Sequence, residues 1–268
     1  MEAANKSYQP LLKWAGGKRW LLPRIEALWR PHADRGGRYV EPFSGAAAIA
    51  LGLAPQRALI NDVNFHLINF YRYVRRGLLV DIDFQYDEGL FYLYRDWFND
   101  LISKGSRGKR TSEAAQLFYY LNRTAFNGLC RFNSSGRFNV PFGKYKAVDY
   151  RSDFLSYRGL FRRWEFSAND FEKIELERGD FVYCDPPYFK VGFDRYSAGG
   201  FSWDDQVRLA EWLARCRGPV LLSNQAAPEI VRLYRKLGFR LKFIYGPRRI
   251  SANGVRRPAR EVLATRNV

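Results

Sequence analysis

Short apolar runs and stretches of helical period alternate at both ends of the chain. Residues 38–42 carry a short buried-strand pattern, and 46–53 a helix directly after it. A second strand pattern covers 58–62, followed by helical spacing over 64–76. Strand, glycine turn, helix and strand in that order is the grammar of a parallel sheet with crossover helices. It returns later, with strands predicted at 164–167, 181–184, 220–223, 239–245 and 261–265, and helices at 204–216 and near 228–237.

The middle of the chain has another texture. Helical stretches at 88–103 and 112–125 flank a basic linker at 104–110. A segment rich in glycine, asparagine and phenylalanine follows at 126–145. Within it the turn signal Asn133-Ser134-Ser135-Gly136 separates 129–132 from 137–140, which predicts a β-hairpin. The simplest architecture is one α/β domain made from 1–78 and 164–268, with an inserted domain at 79–163 whose hairpin lies near 127–145.

Charge adds a partner to this picture. Lys and Arg number 44 against 27 Asp and Glu in 268 residues, a formal net charge of +17. Such an excess favours a polyanion, either nucleic acid or an anionic membrane surface. The longest nearly apolar stretch, 46–55, is too short to span a bilayer. Nucleic acid is the better reading. Cys130, Cys184 and Cys216 form no CxxC pair, and only His32 and His66 could join them, so no metal site is expected. Residues 1–10 lack the apolar core of a signal peptide, which points to a reduced, cytoplasmic protein.

Asp185-Pro186-Pro187-Tyr188 is the strongest chemical signal, because it follows the apolar run Phe181-Val182-Tyr183-Cys184. An acid and two prolines at the carboxyl end of a strand make a stiff loop over the ligand crevice of the sheet. The Asp185 carboxylate and the Pro186 carbonyl are two acceptors suited to an NH2 group. Tyr188 offers a face on which a base can stack. Gly45 closes the turn after the first strand, where a side chain would block a cofactor. Seventeen positions later, Asp62 ends the second strand, where an acid can bond both hydroxyls of a ribose. Gly17-Lys18 lacks the glycine spacing and the Ser/Thr of a phosphate loop, so nucleotide hydrolysis is excluded.

Taken together these motifs resemble the DNA adenine methyltransferase (Dam) family, with its alpha-type motif order, from about residue 10 to the C-terminus. Asp185-Pro186-Pro187-Tyr188 is similar to the catalytic motif of amino-methylating DNA methyltransferases, and Lys13-Trp14-Ala15-Gly16-Gly17-Lys18 to the N-terminal cofactor motif. Glu41-Pro42-Phe43-Ser44-Gly45 resembles the glycine loop, and Asn61-Asp62-Val63-Asn64 the second-strand acid. Alanine stands at Ala47, where the family usually has a second glycine.

The resemblance implies a Rossmann-like class I methyltransferase sheet and S-adenosyl-L-methionine as cofactor. Trp14 would pack beside that cofactor, Lys18 would lie near its carboxylate and the target base, and Glu41, Phe43, Gly45 and Asp62 would line its site. Asp170 would accept from its amino group and Phe171 pack on its ring, although Asp170 also reads as a helix N-cap. The stretches 127–132 and 138–143 resemble the DNA-reading hairpin, which makes Asn127, Leu129, Arg131, Asn139 and Pro141 candidate DNA contacts. Arg131 resembles the arginine that reads guanine, as a guanidinium fork fits the O6 and N7 acceptors of that base. The basic segments 104–110 and 248–260 suit phosphate contacts.

The implied reaction is methyl transfer to N6 of an adenine flipped out of double-stranded DNA, with GATC as the expected site and a monomer as the expected form. Cytosine-N4 and protein-glutamine relatives tend to carry Ser or Asn in place of Asp185, which argues against both. The competing readings are an RNA adenine methyltransferase and an inactive DNA-binding relative.

Overall fold

The computed structural model describes residues 8–189, 200–247 and 259–268. They contain one sheet built from β1 (Tyr39–Glu41), β2 (Ala58–Asn61), β3 (Trp164–Ser167), β4 (Phe181–Cys184), β5 (Val220–Gln225), β6 (Arg240–Gly246) and β7 (Ala259–Arg266), in the order β3-β2-β1-β4-β5-β7-β6. The first five strands run parallel, and β7 enters antiparallel between β5 and β6. Every residue of β1, β2 and β4 is buried, as expected of central strands covered on both faces.

The helices are α1 (Leu22–Ala33), α2 (Ala48–Leu53), α3 (Phe65–Arg76), α4 (Glu88–Ser103), α5 (Ser106–Lys109), α6 (Ser112–Thr124), α7 (Leu155–Phe161), α8 (Trp203–Ala214) and α9 (Pro228–Lys236). Successive strand residues point to opposite faces and so feed two cores. Tyr39, Ile60, Tyr183 and Leu221 join α1, α3 and α7 on one side. Val40, Leu59, Val182 and Leu222 join α8 and α9 on the other. The first core continues into the inserted segment, where Phe70 of α3 stacks on Tyr119 of α6 with ring centroids 5.4 Å apart.

Local signals set the helix ends. Asn64 caps α3 by accepting from the His66 and Leu67 N–H groups, Asp87 caps α4, and Thr111 caps α6. Ser202 and Asp205 form a reciprocal capping box on α8. Two helices besides the short α5 have no counterpart among the predicted elements. The helix α1 carries Pro23 in its first turn, where no N–H bond is lost, and Pro31 near its end, so a proline-punctuated segment is helical after all. The other is α7, only seven residues long. The predicted basic linker also winds into the short α5. Of the arginine-rich stretch 248–260, residues 248–258 lie outside the described residues.

Candidate active site and nucleic-acid face

The loops that follow β1, β2, β3 and β4 share one edge of the sheet because these strands are parallel. Gly45 sits in the first loop with φ +45°, and a Cβ there would stand 2.6 Å from the Trp14 ring. Only glycine lets the indole lie on this turn. The Gly45 N–H donates to Asp62 Oδ2 at 2.9 Å, and the Asn64 N–H to Asp62 Oδ1 at 2.9 Å. Burial pushes the Asp62 carboxyl up to about 6 against these two bonds. Ala47, two residues on, adopts the left-handed region at φ +49°, which explains why glycine would suit this position.

Buried Asn61 ties three loops together. Its amide donates to the Pro42 and Asn169 carbonyls at 2.9 and 3.0 Å and accepts from the Asn169 N–H at 3.1 Å. Glu41, at the end of β1, is buried and accepts from the Ala50 N–H and the Tyr39 hydroxyl. Burial, with Asp185 and Asp62 nearby, drives its carboxyl well above the usual carboxylate range. Phe43 and Phe171 face each other with centroids 5.7 Å apart. Asp170 caps the turn after β3 through the Glu172 N–H, and Arg208 holds its two oxygens at 3.0 and 3.1 Å. The N-cap reading of Asp170 is therefore realised, with an ion pair added.

Asp185 lies at the carboxyl end of β4. Its Oδ1 accepts from the Ser223 hydroxyl at 2.7 Å, and its Oδ2 faces Lys18 Nζ at 3.3 Å. Lys18 is buried, donates to the Gly16 carbonyl at 3.1 Å, and stands 4.5 Å from the centroid of the Tyr188 ring. The Tyr188 hydroxyl donates to Glu261 Oε2 at 3.0 Å, and burial with both acids nearby holds its phenol well above the ordinary range. Pro187 accepts from Gln206 at 2.8 Å. Among the described residues no donor reaches the Pro186 carbonyl. Sequence reasoning missed Ser223, Glu261 and Arg208. Ser223 had a signal, since the apolar start of β5 turns polar at Ser223-Asn224-Gln225, toward the carboxyl edge of the sheet.

The hairpin forms around a Phe132–Phe138 bridge, with the Asn133 N–H donating to the Arg137 carbonyl at 2.9 Å. Arg131 and Asn139 are both exposed and pair across it, Arg131 Nε donating to Asn139 Oδ1 at 2.9 Å. Leu129 is half-buried against the core, while Asn127 and Pro141 are exposed. Asn127 has φ +53° and lines, with exposed Phe126, Phe142, Lys144 and Tyr145, a cleft of about 310 Å³ at the base of the hairpin.

The hairpin base is joined to the N-terminal segment 13–18 by Lys13. The Asn122 amide exchanges 2.8 Å bonds with both the N–H and the carbonyl of Lys13. Lys13 Nζ donates to the Arg123 carbonyl and lies 3.4 Å from the Tyr145 ring centroid. Asn64 makes a second tie, donating to Cys130 Sγ at 3.3 Å. The predicted residues thus fall into two groups: Trp14, Lys18, Glu41, Phe43, Gly45, Asp62, Asp170, Phe171 and Asp185 to Tyr188 at the sheet edge, and the hairpin set beside them.

Among the described residues no group of His, Cys, Asp and Glu is arranged to hold a metal ion, and no helix is long and apolar enough to cross a membrane. The chain is 36% identical over 272 residues to a DNA N-6-adenine-methyltransferase of Escherichia phage P1, covering 95% of this chain but 35% of that protein. It is 35% identical to a type II methyltransferase of Lactococcus lactis subsp. cremoris, over 85% of this chain and 84% of the relative. With a DNA adenine methylase of Vibrio cholerae it shares 34% identity, over 94% of this chain and 93% of the relative. The family profile described as D12 class N6 adenine-specific DNA methyltransferase matches residues 14–246, nearly the whole span that carries the motifs, and the chain belongs to that family.

Proposed function

We propose that this enzyme methylates N6 of a flipped-out adenine in double-stranded DNA, within GATC, using S-adenosyl-L-methionine, and that it works in the cytoplasm. The observation that carries the reading is the Asp185 carboxylate at the end of β4. One oxygen is fixed by Ser223, the other is turned toward Lys18, and the Tyr188 ring lies alongside.

The residues present fit the cofactor. Gly45 lets the Trp14 indole lie against the turn, Asp62 has lone pairs left for ribose hydroxyls, and Phe43 with Phe171 offers an apolar surface against which a ring can pack. Asp170 keeps acceptor capacity beside its pair with Arg208. S-adenosyl-L-methionine supplies an electrophilic methyl group on a sulfonium sulfur.

The protein does the rest by positioning. Adenine N6 is a weak nucleophile because its lone pair is delocalised into the ring. Hydrogen bonds from N6–H to Asp185 Oδ2 and to the Pro186 carbonyl favour a localised lone pair aimed at the methyl group. Methyl transfer leaves N6 cationic with one proton too many, which passes to solvent water and leaves the neutral methylated amine. A base inside the duplex cannot reach these acceptors, so it stacks on Tyr188 after flipping. Lys18 Nζ lies 4.5 Å from the centroid of that ring, so the base can stack there only once Lys18 has moved.

The test is methylation of unmethylated plasmid DNA with S-adenosyl-L-methionine, read by nucleoside mass spectrometry and modification-sensitive sequencing. N6-methyladenine confined to GATC is the expected result. The same base at another site overturns the specificity, and no methylated base overturns the reading.

A further inference from the structure

The active site occupies the carboxyl edge of the parallel strands, and the opposite edge carries a second basic feature. Each of the five parallel strands has an arginine just ahead of it. In spatial order these are Arg163 before β3, Arg57 before β2, Arg38 before β1, Arg178 before β4 and Arg217 before β5. With strands about 4.8 Å apart, the row spans about 19 Å.

Buried Arg38 absorbs the acids of this edge, pairing with Asp180 at 2.8 Å, Glu177 at 3.4 Å and Glu165 at 3.7 Å. Arg57 shares Glu177 at 3.3 Å, and Arg163 is bonded to the neutral Gln56. Exposed Arg178 and Arg217 and exposed Arg35, at the end of α1, have no carboxylate partner among the described residues; Arg35 reaches only His32 Nδ1, at 3.5 Å. These three arginines, from three different loops, line one cleft of about 410 Å³. Asn267 rims it with its amide committed to the Cys216, Arg217 and Gly218 carbonyls, which pins the Arg217 loop.

We infer that this edge is a second phosphate-binding surface, which takes the backbone of a DNA segment other than the one being methylated. Extended charge decides for a polymer over a small anion. Arg38 and Arg57 are neutralised by the acids beside them, so the cations without a carboxylate partner among the described residues stand at the two ends of the edge. Arg163 is at one end and Arg178, Arg217 and Arg35 are at the other, three to four strand spacings apart. A polymer of phosphodiesters can reach both ends, whereas a mononucleotide in the cleft would leave Arg163 unused. A four-residue strand separates the two edges by about 13 Å plus the loops, so one straight duplex cannot serve both. The inference rests on duplex DNA as the substrate.

The experiment immobilises a short duplex with one methylation site, saturates it with enzyme, and measures capture of a second, fluorescent duplex that lacks the site. Wild type should capture it. The Arg35→Ser/Arg178→Ser/Arg217→Ser variant should lose about tenfold of that capture at physiological salt, with the log–log salt slope lower by about 0.9 per arginine engaged. Its methylation of the short duplex and its melting temperature should match wild type. If the triple variant unfolds, Arg178→Glu alone gives the same comparison. Equal capture by wild type and variant, or none by wild type, overturns the inference. So does displacement of the second duplex by ATP or inorganic phosphate at an ionic strength where sodium chloride has no effect, which would make the cleft a small-anion site. Failure of wild type to methylate the short duplex would instead count against the proposed reaction.

Discussion

Asp185 has two oxygens with different tasks. Oδ1 is held by Ser223 at 2.7 Å, which fixes the carboxylate plane and turns Oδ2 toward the crevice. Removing a hydrogen bond to a charged group costs about 1.5–3 kcal/mol, and here the loss falls on geometry rather than on binding. Ser223→Ala should therefore lower kcat about tenfold or more while KM for DNA changes little, and Ser223→Thr should restore most of it. A rise in KM with kcat intact would assign Ser223 to binding instead. His66 makes a second case, stacked on Phe132 at 5.0 Å with no partner for its Nδ1 among the described residues. Burial, with Lys109 adding, pushes the imidazole from 6.5 down to about 4. The unfolded chain binds this proton first, so the stability due to neutral His66 is lost as pH falls from 6.5 through about 4. Asp62 runs the other way: its carboxyl is raised from 3.8 to about 6, so its contribution is present at low pH and is lost as pH rises through about 6. His66→Leu should consequently gain on wild type by about 2–3 kcal/mol between neutral pH and pH ~4, as seen in urea unfolding. Parallel curves for the two proteins would remove His66 from the account.

Among the elements, α6 bears the join between the two halves of the site. Asn122 is fully buried, and its amide supplies both partners of the Lys13 backbone. Asn122→Ala would orphan an N–H and a carbonyl in the interior, a loss of about 2–4 kcal/mol in denaturant unfolding. If the midpoint barely moves, the strap is not a structural tie. Nothing in the pattern 112–125 marks Asn122 as special, because one polar residue on an amphipathic helix reads as solvent-facing. The strands and α4 were legible, since apolar runs and an acidic cap depend on neighbours in sequence. The loop 185–188, which we propose is catalytic, stood out in the sequence because its four residues are consecutive. Ser223 and Glu261 touch Asp185 and Tyr188 from strands far along the chain; the polar end of β5 marks Ser223 as unusual, but nothing in the sequence says which residues either one touches. The helix α1 was hidden for a local reason, its two prolines: Pro23 fits the first turn, whereas Pro31 lies inside the helix and gives up one N–H bond.

At the scale of the whole molecule, a net charge of +17 attracts any DNA, so affinity and specificity must come from different residues. Arg131 is exposed at the hairpin, with its guanidinium oriented by Asn139. Arg107 and Lys109 lie on the α5 turn and have no acidic partner among the described residues. If Arg131 reads a base edge, Arg131→Ala should reduce discrimination against a substituted guanine by about 1–3 kcal/mol, and the salt slope should stay nearly as steep. Arg107→Ala/Lys109→Ala should do the reverse, lowering the slope by up to about 0.9 per cation and weakening all sequences alike. Competition binding with cognate and single-substituted duplexes over a salt series separates the two. A variant of Arg131 that flattens the slope without touching discrimination would show that the hairpin arginine holds phosphate, and the reading of the target would then have to pass to Asn127, Asn139 or the shape of the duplex.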